Sequence, residues 1–472
     1  MNTLLTGIKN TPLGNTYNGA VTFTTSGNDL VDLFAMIGSS RGKDISTTFS
    51  RAYSEDPEVA SRILSYARDV RGGMGERQTF RDLFNKLVEL DEDRALKILH
   101  LIPEIGRWDD LLSITPSKVR LAGFVMIEDA LNAENALCAK WMPRKGLKAK
   151  ELREFMNLSP KKYRKFIVRL SSTVEQNMCS KDWTNIDYKA VPSIAASRYS
   201  KAFEKHDLDG YTTYKDSLVK GETKINATTL LPHDIYKSLM CGGDQIIAQA
   251  QWDALPNFMG EDSGENIIAL VDTSGSMGCA VGNNNKLTCM SVAVSLGLYL
   301  SERIGGDFKD HFITFSERPT LQKVRGNSIY EKMRNLESAH WQMNTNLQAA
   351  FNLILSSAVK MKTPVNEMPT KIVILSDMEF DMATGGGRYG RIPSTNFQVI
   401  EKKFKKCGYE RPSLIFWNLN ARSGNMPVTA SEDGTALISG FSPAVMKSVL
   451  AGKDFNPLEI MLDTVMIDRY NH

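Results

Sequence analysis

Five apolar runs in the second half of the chain constrain its fold more than any other feature: "NIIALVD" (266–272), "HFITFS" (311–316), "KIVILSD" (371–377), "PSLIFWNL" (412–419) and "TALISG" (435–440). Each is too short for a buried helix and is apolar at consecutive positions, so the strand it forms must be covered on both faces. Between and after them lie amphipathic stretches at 286–303, 346–360, 395–407, 442–450 and 456–466 that read as helices. Strands buried on both sides and separated by helices predict a parallel, doubly wound α/β sheet. In such a sheet the loops leaving the carboxyl ends of the strands build the ligand site.

From about residue 27 to 250 the periodicity is that of helices, with apolar residues three and four apart and Pro or Gly between segments. The Gly72–Gly73 pair in "RDVRGGMGERQTFRDLF" (68–84) ends one helix before the next begins. The clearest segment is "NLSPKKYRKFIVRLSSTVEQ" (157–176), where Ser159 stands at the N-cap and Pro160 at the first helical position. No fixed-period repeat is visible, so a stack of divergent helical hairpins rests on the alternation of helices and turns alone. The chain therefore divides into an all-α domain, 1–260, and an α/β domain, 261–472.

The formal net charge is only +3, and the first 264 residues carry 35 basic against 34 acidic side chains. A nucleic-acid surface must then be a local patch, not a basic domain. Six scattered cysteines, with no C-x-x-C, read as reduced thiols. Nothing resembles a signal peptide or a membrane span, so a cytoplasmic monomer with no membrane partner is expected.

The first apolar run ends in "DTSGSMG", which places Asp272, Ser274 and Ser276 in one loop with Gly275 and Gly278 to let it turn tightly. A carboxylate and two hydroxyls are hard oxygen donors suited to Mg²⁺ or Mn²⁺. Asp377 closes the third run, and Thr345 in "NTNL" (344–347) precedes a helix, so both are expected at the same sheet edge; Thr320 and Thr363 lie nearby in sequence. An aspartic-protease reading fails, because the third residue is Ser274 where that chemistry wants glycine, and the context is α/β.

These residues resemble the metal-ion-dependent adhesion site of von Willebrand factor A domains. The resemblance implies that Ser274, Ser276 and Thr345 bind the ion directly, that Asp272 and Asp377 act through water, and that an acidic group from a partner completes the shell. The helical segments "RGGMGERQTFRDLF" (71–84), "IPEIGRWDDLL" (102–112) and "KWMP" (140–143), followed by such a domain, resemble the Ro (TROVE) RNA-binding family. That implies HEAT-like helical repeats closed into a ring with a von Willebrand A-like, Rossmann-like domain, and small structured or misfolded noncoding RNA as the partner.

Independently of that likeness, residues 140–169 hold eleven Lys or Arg against two Glu. On a helical wheel Tyr163, Phe166, Ile167, Leu170 and Val174 share the buried face, opposite Lys161, Lys162, Arg164, Lys165 and Arg169. Arg144, Lys145, Lys148, Lys161, Lys162, Lys165 and Arg169 are therefore the candidate RNA contacts. Arg71, Glu76, Arg77, Arg107 and Asp109 are read as inter-helix ion pairs and turn contacts, Trp108, Trp141 and Trp183 as packing, and His206 and His233 as ordinary histidines. No P-loop, H-E-x-x-H or G-x-S-x-G motif is present, so the chain is expected not to be an enzyme. The expectation is an RNA-binding ring with a metal site for a partner; the alternative is a metal-dependent protein-interaction module that binds no RNA.

Overall fold

The computed structural model describes residues 13–171, 173–259, 265–282, 284–315, 318–337, 346–381, 395–421, 424–451 and 455–471. Its strands, in chain order, are β1 (Leu13–Asn15), β2 (Val21–Phe23), β3 (Ile267–Asp272), β4 (Ala280–Val281), β5 (Asn284–Thr288), β6 (His311–Phe315), β7 (Thr320–Lys323), β8 (Lys371–Ser376), β9 (Ser413–Asn418) and β10 (Thr435–Ser439). All five apolar runs are strands of one six-stranded sheet, ordered β10-β9-β8-β3-β6-β7. The five are mutually parallel, and β7 pairs antiparallel with β6 at one edge. β3 and β8 are buried at every residue, as their unbroken apolar letters require. Helix Cys289–Arg303 lies across β3, β6 and β8, while Leu347–Met361 packs on β6 and against Asn396–Cys407.

From β3 the chain steps to β6 on one side and then crosses to β8 on the other. The strand order thus reverses at β3, and a crevice opens outside the carboxyl ends of β3 and β8. Val271 pairs with Leu375, which brings the ends of these two strands level.

The first half is helical from Asp29–Ile37 to Gln245–Asp253. The segment at 157–176 is two helices, not one. Pro160–Leu170 is capped by the Ser159 hydroxyl accepting from the Lys162 N–H, as expected, but it stops at Ser171. The Ser171 hydroxyl donates to the Ile167 carbonyl, and Thr173 with Gln176 forms a capping box that starts Val174–Ser180. Val174 consequently leaves the face shared by Tyr163, Ile167 and Leu170 and packs beside a second, smaller core around Ile186, Phe203 and Tyr211.

The main hydrophobic core runs through both halves without interruption. Helix Asp29–Ile37 covers the β10 edge of the sheet: the Ser439 hydroxyl donates to the Phe34 carbonyl at 2.8 Å and accepts from the Gly38 N–H at 3.1 Å. Gly38 is required there, since a Cβ would lie 2.7 Å from the Gly440 backbone. At the other end of the helical half, Pro232–Met240 packs on Cys289–Arg303, and the Trp252 indole N–H donates to Glu302 at 2.7 Å. No helix among the described residues is long and apolar enough to cross a membrane.

Candidate metal centre

The loop after β3 is shaped by its own side chains. The Asp272 carboxylate accepts the Ser274 N–H at 2.9 Å, which folds "DTS" back on itself, and the Ser274 and Ser276 hydroxyls lie 3.0 Å apart. A turn of 3₁₀ helix, Gly275–Gly278, carries the chain away. From β8 the Ser376 hydroxyl donates to the second Asp272 oxygen at 2.6 Å. Asp377 follows, accepting the Glu379 N–H at 3.3 Å. Asp272, Ser274, Ser376 and Asp377 are all 1% exposed or less, so four oxygen-bearing side chains converge in the crevice at the strand reversal.

Two carboxylates are thereby buried together. Burial, and then the charge of Asp377, push the Asp272 carboxyl up to about 7, against the hydrogen bonds from Ser376 and Ser274 that favour its ionised form. A divalent cation would reverse this, since it supplies the missing positive charge to hard oxygen donors. The donor set therefore fits Mg²⁺ or Mn²⁺. It does not fit a site built from His, Cys, Asp and Glu alone, because no group of three or more of these among the described residues could hold a metal.

Of the five residues expected to hold the ion, Asp272, Ser274, Ser276 and Asp377 come together, and Thr345 lies outside the described residues. Thr320 is engaged with Thr314 at 2.9 Å. Thr363 follows helix Leu347–Met361 and precedes the amino end of β8, on the far side of the sheet from Asp272. Sequence reasoning missed Ser376, although "LSD" already set a hydroxyl beside Asp377 at a strand end. It also missed the backbone at Met378, whose φ of 62° is left-handed in a buried non-glycine residue. That conformation is held by the Ser376 hydroxyl accepting the Met378 N–H at 3.1 Å. Glu379 was missed as well: it is buried, and it accepts the Tyr17 N–H at 2.6 Å and the Asn425 amide at 3.2 Å. The turn between β1 and β2 is thus fastened to the rim of the crevice.

The candidate RNA contacts Arg144, Lys145, Lys148, Lys161, Lys162, Lys165 and Arg169 are all exposed. Helix Pro160–Leu170 buries Tyr163, Ile167 and Leu170, as the wheel required, and turns its cations outward. Three of the seven are partly engaged: Arg144 donates to the Ser171 hydroxyl at 3.2 Å, and Arg169 pairs with Glu134 at 3.3 Å. Lys148 is held below the usual lysine range by partial burial and by Arg81 and Arg120 nearby. Lys145, Lys161, Lys162 and Lys165 make no ion pair among the described residues.

The residues read as structural pairs are so for the most part. Arg107 binds Asp109 at 2.7 Å and stacks on Trp141 with its guanidinium 3.6 Å from a ring centroid. Glu76 binds Arg41 at 2.6 Å, and Arg71 donates to the Glu104 carbonyl. Arg77 instead stands in the repulsive field of Arg107 and Arg81 and, by burial first, is lowered from its usual range. Trp108, Trp141 and Trp183 are half-buried, the first two against the main core and Trp183 against the smaller one, where it stacks on His206 at 4.4 Å. His233 is buried against Phe441.

Comparison with known proteins gives two partial matches to families. Residues 266–468 match a domain of unknown function (DUF7788), and residues 16–92 and 143–263 match a second domain of unknown function (DUF2828). The chain is also similar to the uncharacterized protein L728 of Acanthamoeba polyphaga mimivirus, 29% identical over 506 residues that span 95% of this chain and 86% of that protein.

Proposed function

We propose that the protein is a binding protein, not an enzyme: a helical ring of the Ro (TROVE) kind that takes structured or misfolded small RNA on a basic face and a divalent ion in the crevice at Asp272. The observation that carries the RNA reading is the outward row of Lys161, Lys162 and Lys165 on a helix whose opposite face is buried. Ring closure is supported by the two ends of the helical half, which dock on the same C-terminal domain through Ser439 at one end and Glu302 at the other. A stem with a single-stranded tail, bound by the protein across a salt series, is the test. Changing Lys161, Lys162 and Lys165 to Glu should flatten the log–log salt slope by about 3, roughly one for each phosphate that is no longer neutralised. An unchanged slope, or no binding by the unaltered chain, sinks the RNA reading.

A second reading is favoured by the crevice itself: a metal-dependent protein-interaction module without RNA. Asp272, Ser274, Ser276 and Asp377 would hold the ion, and an acidic group from a partner would meet it. Partners captured with Mg²⁺, released by EDTA and not captured by Asp272→Ala would support this reading, and RNA-independent capture would separate it from the first.

A further inference from the structure

Three residues beyond Ser276 the chain reaches Cys279, and the short hairpin β4–β5 returns it to Cys289, the first residue of a fifteen-residue helix. The two sulfurs are 3.3 Å apart. The backbone is already closed at this point, with the Cys289 N–H donating to the Cys279 carbonyl at 3.1 Å. Cys279 is half-exposed, while Cys289 is buried beneath it at 1%. The Asn420 side-chain amide donates to the Cys279 sulfur at 3.2 Å, an interaction that stabilises sulfur as it gains negative charge. An accessible thiol backed by a buried second thiol within reach, with a polar donor on the first, is the arrangement of an attacking and a resolving cysteine.

We propose that Cys279 and Cys289 form an oxidisable dithiol whose oxidant is a hydroperoxide. The Cys279 thiolate, its proton released to solvent, attacks a peroxide oxygen. The O–O bond breaks, the departing hydroxide takes a proton to become water, and Cys279 is left as a sulfenic acid. The Cys289 sulfur then attacks the Cys279 sulfur, the S–O bond breaks, and the hydroxyl leaves as water with the Cys289 proton. Two thiols are oxidised to one disulfide, and one hydrogen peroxide is reduced to two waters. The disulfide would staple the hairpin to the loop that carries Ser274 and Ser276. Any effect on ion binding rests on the metal reading above, whereas the oxidation itself does not.

The full chain, reduced and freed of reductant, is exposed to limiting hydrogen peroxide, alkylated and digested with trypsin. Lys286 lies between the two cysteines, and Cys241 shares the tryptic peptide of Cys279, so a second cut at Glu265 sets Cys241 apart and only a disulfide then joins the other two. The expected result is a Cys279–Cys289 cross-link that dithiothreitol reverses. It should form about tenfold faster than oxidation of the exposed Cys179, Cys241 and Cys407, because the Asn420 amide favours the attacking Cys279 thiolate and the resolving thiol then captures the sulfenic acid at once. Cys289→Ser should halt at a Cys279 sulfenic acid that dimedone traps, and Cys279→Ser should leave Cys289 reduced. Oxidation of Cys179, Cys241 and Cys407 ahead of the pair, or cross-links only between separate chains, would overturn the proposal. Comparing Mn²⁺ affinity of the reduced and cross-linked forms then reads the coupling separately: a cross-link with unchanged affinity removes the coupling alone.

Discussion

At the scale of single residues, Asp272 and His233 are buried ionisable groups whose pH behaviour differs. Asp272 must lose its proton before it can face a cation, so Mn²⁺ affinity should rise about tenfold per pH unit below 7 and level off above it. Isothermal titration at several pH values measures this; Asp272→Asn should abolish both the binding and its pH dependence. In the unaltered protein, metal at a hundred times its dissociation constant should add about 2.7 kcal/mol of stability. His233 is lowered from 6.5 to about 4, by burial first, then by Arg41 and Lys237, with Asp234 opposing. Its folded pKa is below the unfolded one, so the unfolded chain takes up protons first. Stability is full above 6.5 and is lost as pH falls towards 4, by about 3 kcal/mol from 1.36 kcal/mol per unit. The raised Asp272 carboxyl gives the opposite slope between about 7 and 3.8, so the His233 contribution is read as the difference between the unaltered chain and His233→Phe in urea midpoints measured from pH 7.5 down to 4.5.

At the scale of elements, the sequence was most legible where burial left no choice. β3 and β8 are apolar at every position because helices cover both faces, and the run boundaries fell within a residue or two of the strands. β7 was invisible to that reasoning. "TLQK" is a short edge strand, mostly exposed, held by pairing with β6 and not by its own apolar letters. The β4–β5 hairpin escaped for the same reason, and with it the meeting of Cys279 and Cys289. The break at Ser171 was written in the letters as T-x-x-Q at Thr173–Gln176, but the continuing apolar spacing outweighed it. The oxygen-lined crevice was legible in Asp272, Ser274, Ser276 and Asp377 because each lies at or just beyond the carboxyl end of a strand. Ser376 was passed over although "LSD" set its hydroxyl at a strand end, since its partner Asp272 lies 104 residues away in sequence. The cap at Ser159 offers a direct test of element-level logic. Ser159→Ala removes the acceptor for the Lys162 N–H and should lower stability by about 1 kcal/mol in urea titration. On the RNA reading proposed above, binding should weaken only in proportion to fraying, with the salt slope unchanged, because every cation is still present.

For the molecule as a whole, the question is what couples a helical half to an α/β half. The shared core does most of it, but the carboxyl terminus adds a latch. Asp69, at the end of helix Pro57–Arg68, accepts from Arg469 at 2.9 Å and from the Tyr470 hydroxyl at 3.0 Å, four hundred residues further along. Burial alone would raise the Asp69 carboxyl; the Arg469 guanidinium, the Arg71 N–H and the Tyr470 hydroxyl more than reverse this and hold it below the usual range. Arg62 reinforces the latch by donating to Asn471 at 2.6 Å. This latch sits at the front of the helical half, while Glu302 takes both the Trp252 indole and Lys332 at its back. Removing the Asp69 carboxylate leaves a buried hydroxyl and a half-buried guanidinium without their acceptor, so Asp69→Ala should cost about 2 kcal/mol, discounted from the fully buried case because Arg469 still reaches water. Tyr470→Phe should cost about 1 kcal/mol alone and much less in the Asp69→Ala background, because its acceptor is then already gone. If the two costs simply add, the latch is a set of separate interactions and not one network. Each would then tie the halves together on its own account, beside the hydrophobic core and the Trp252–Glu302 contact.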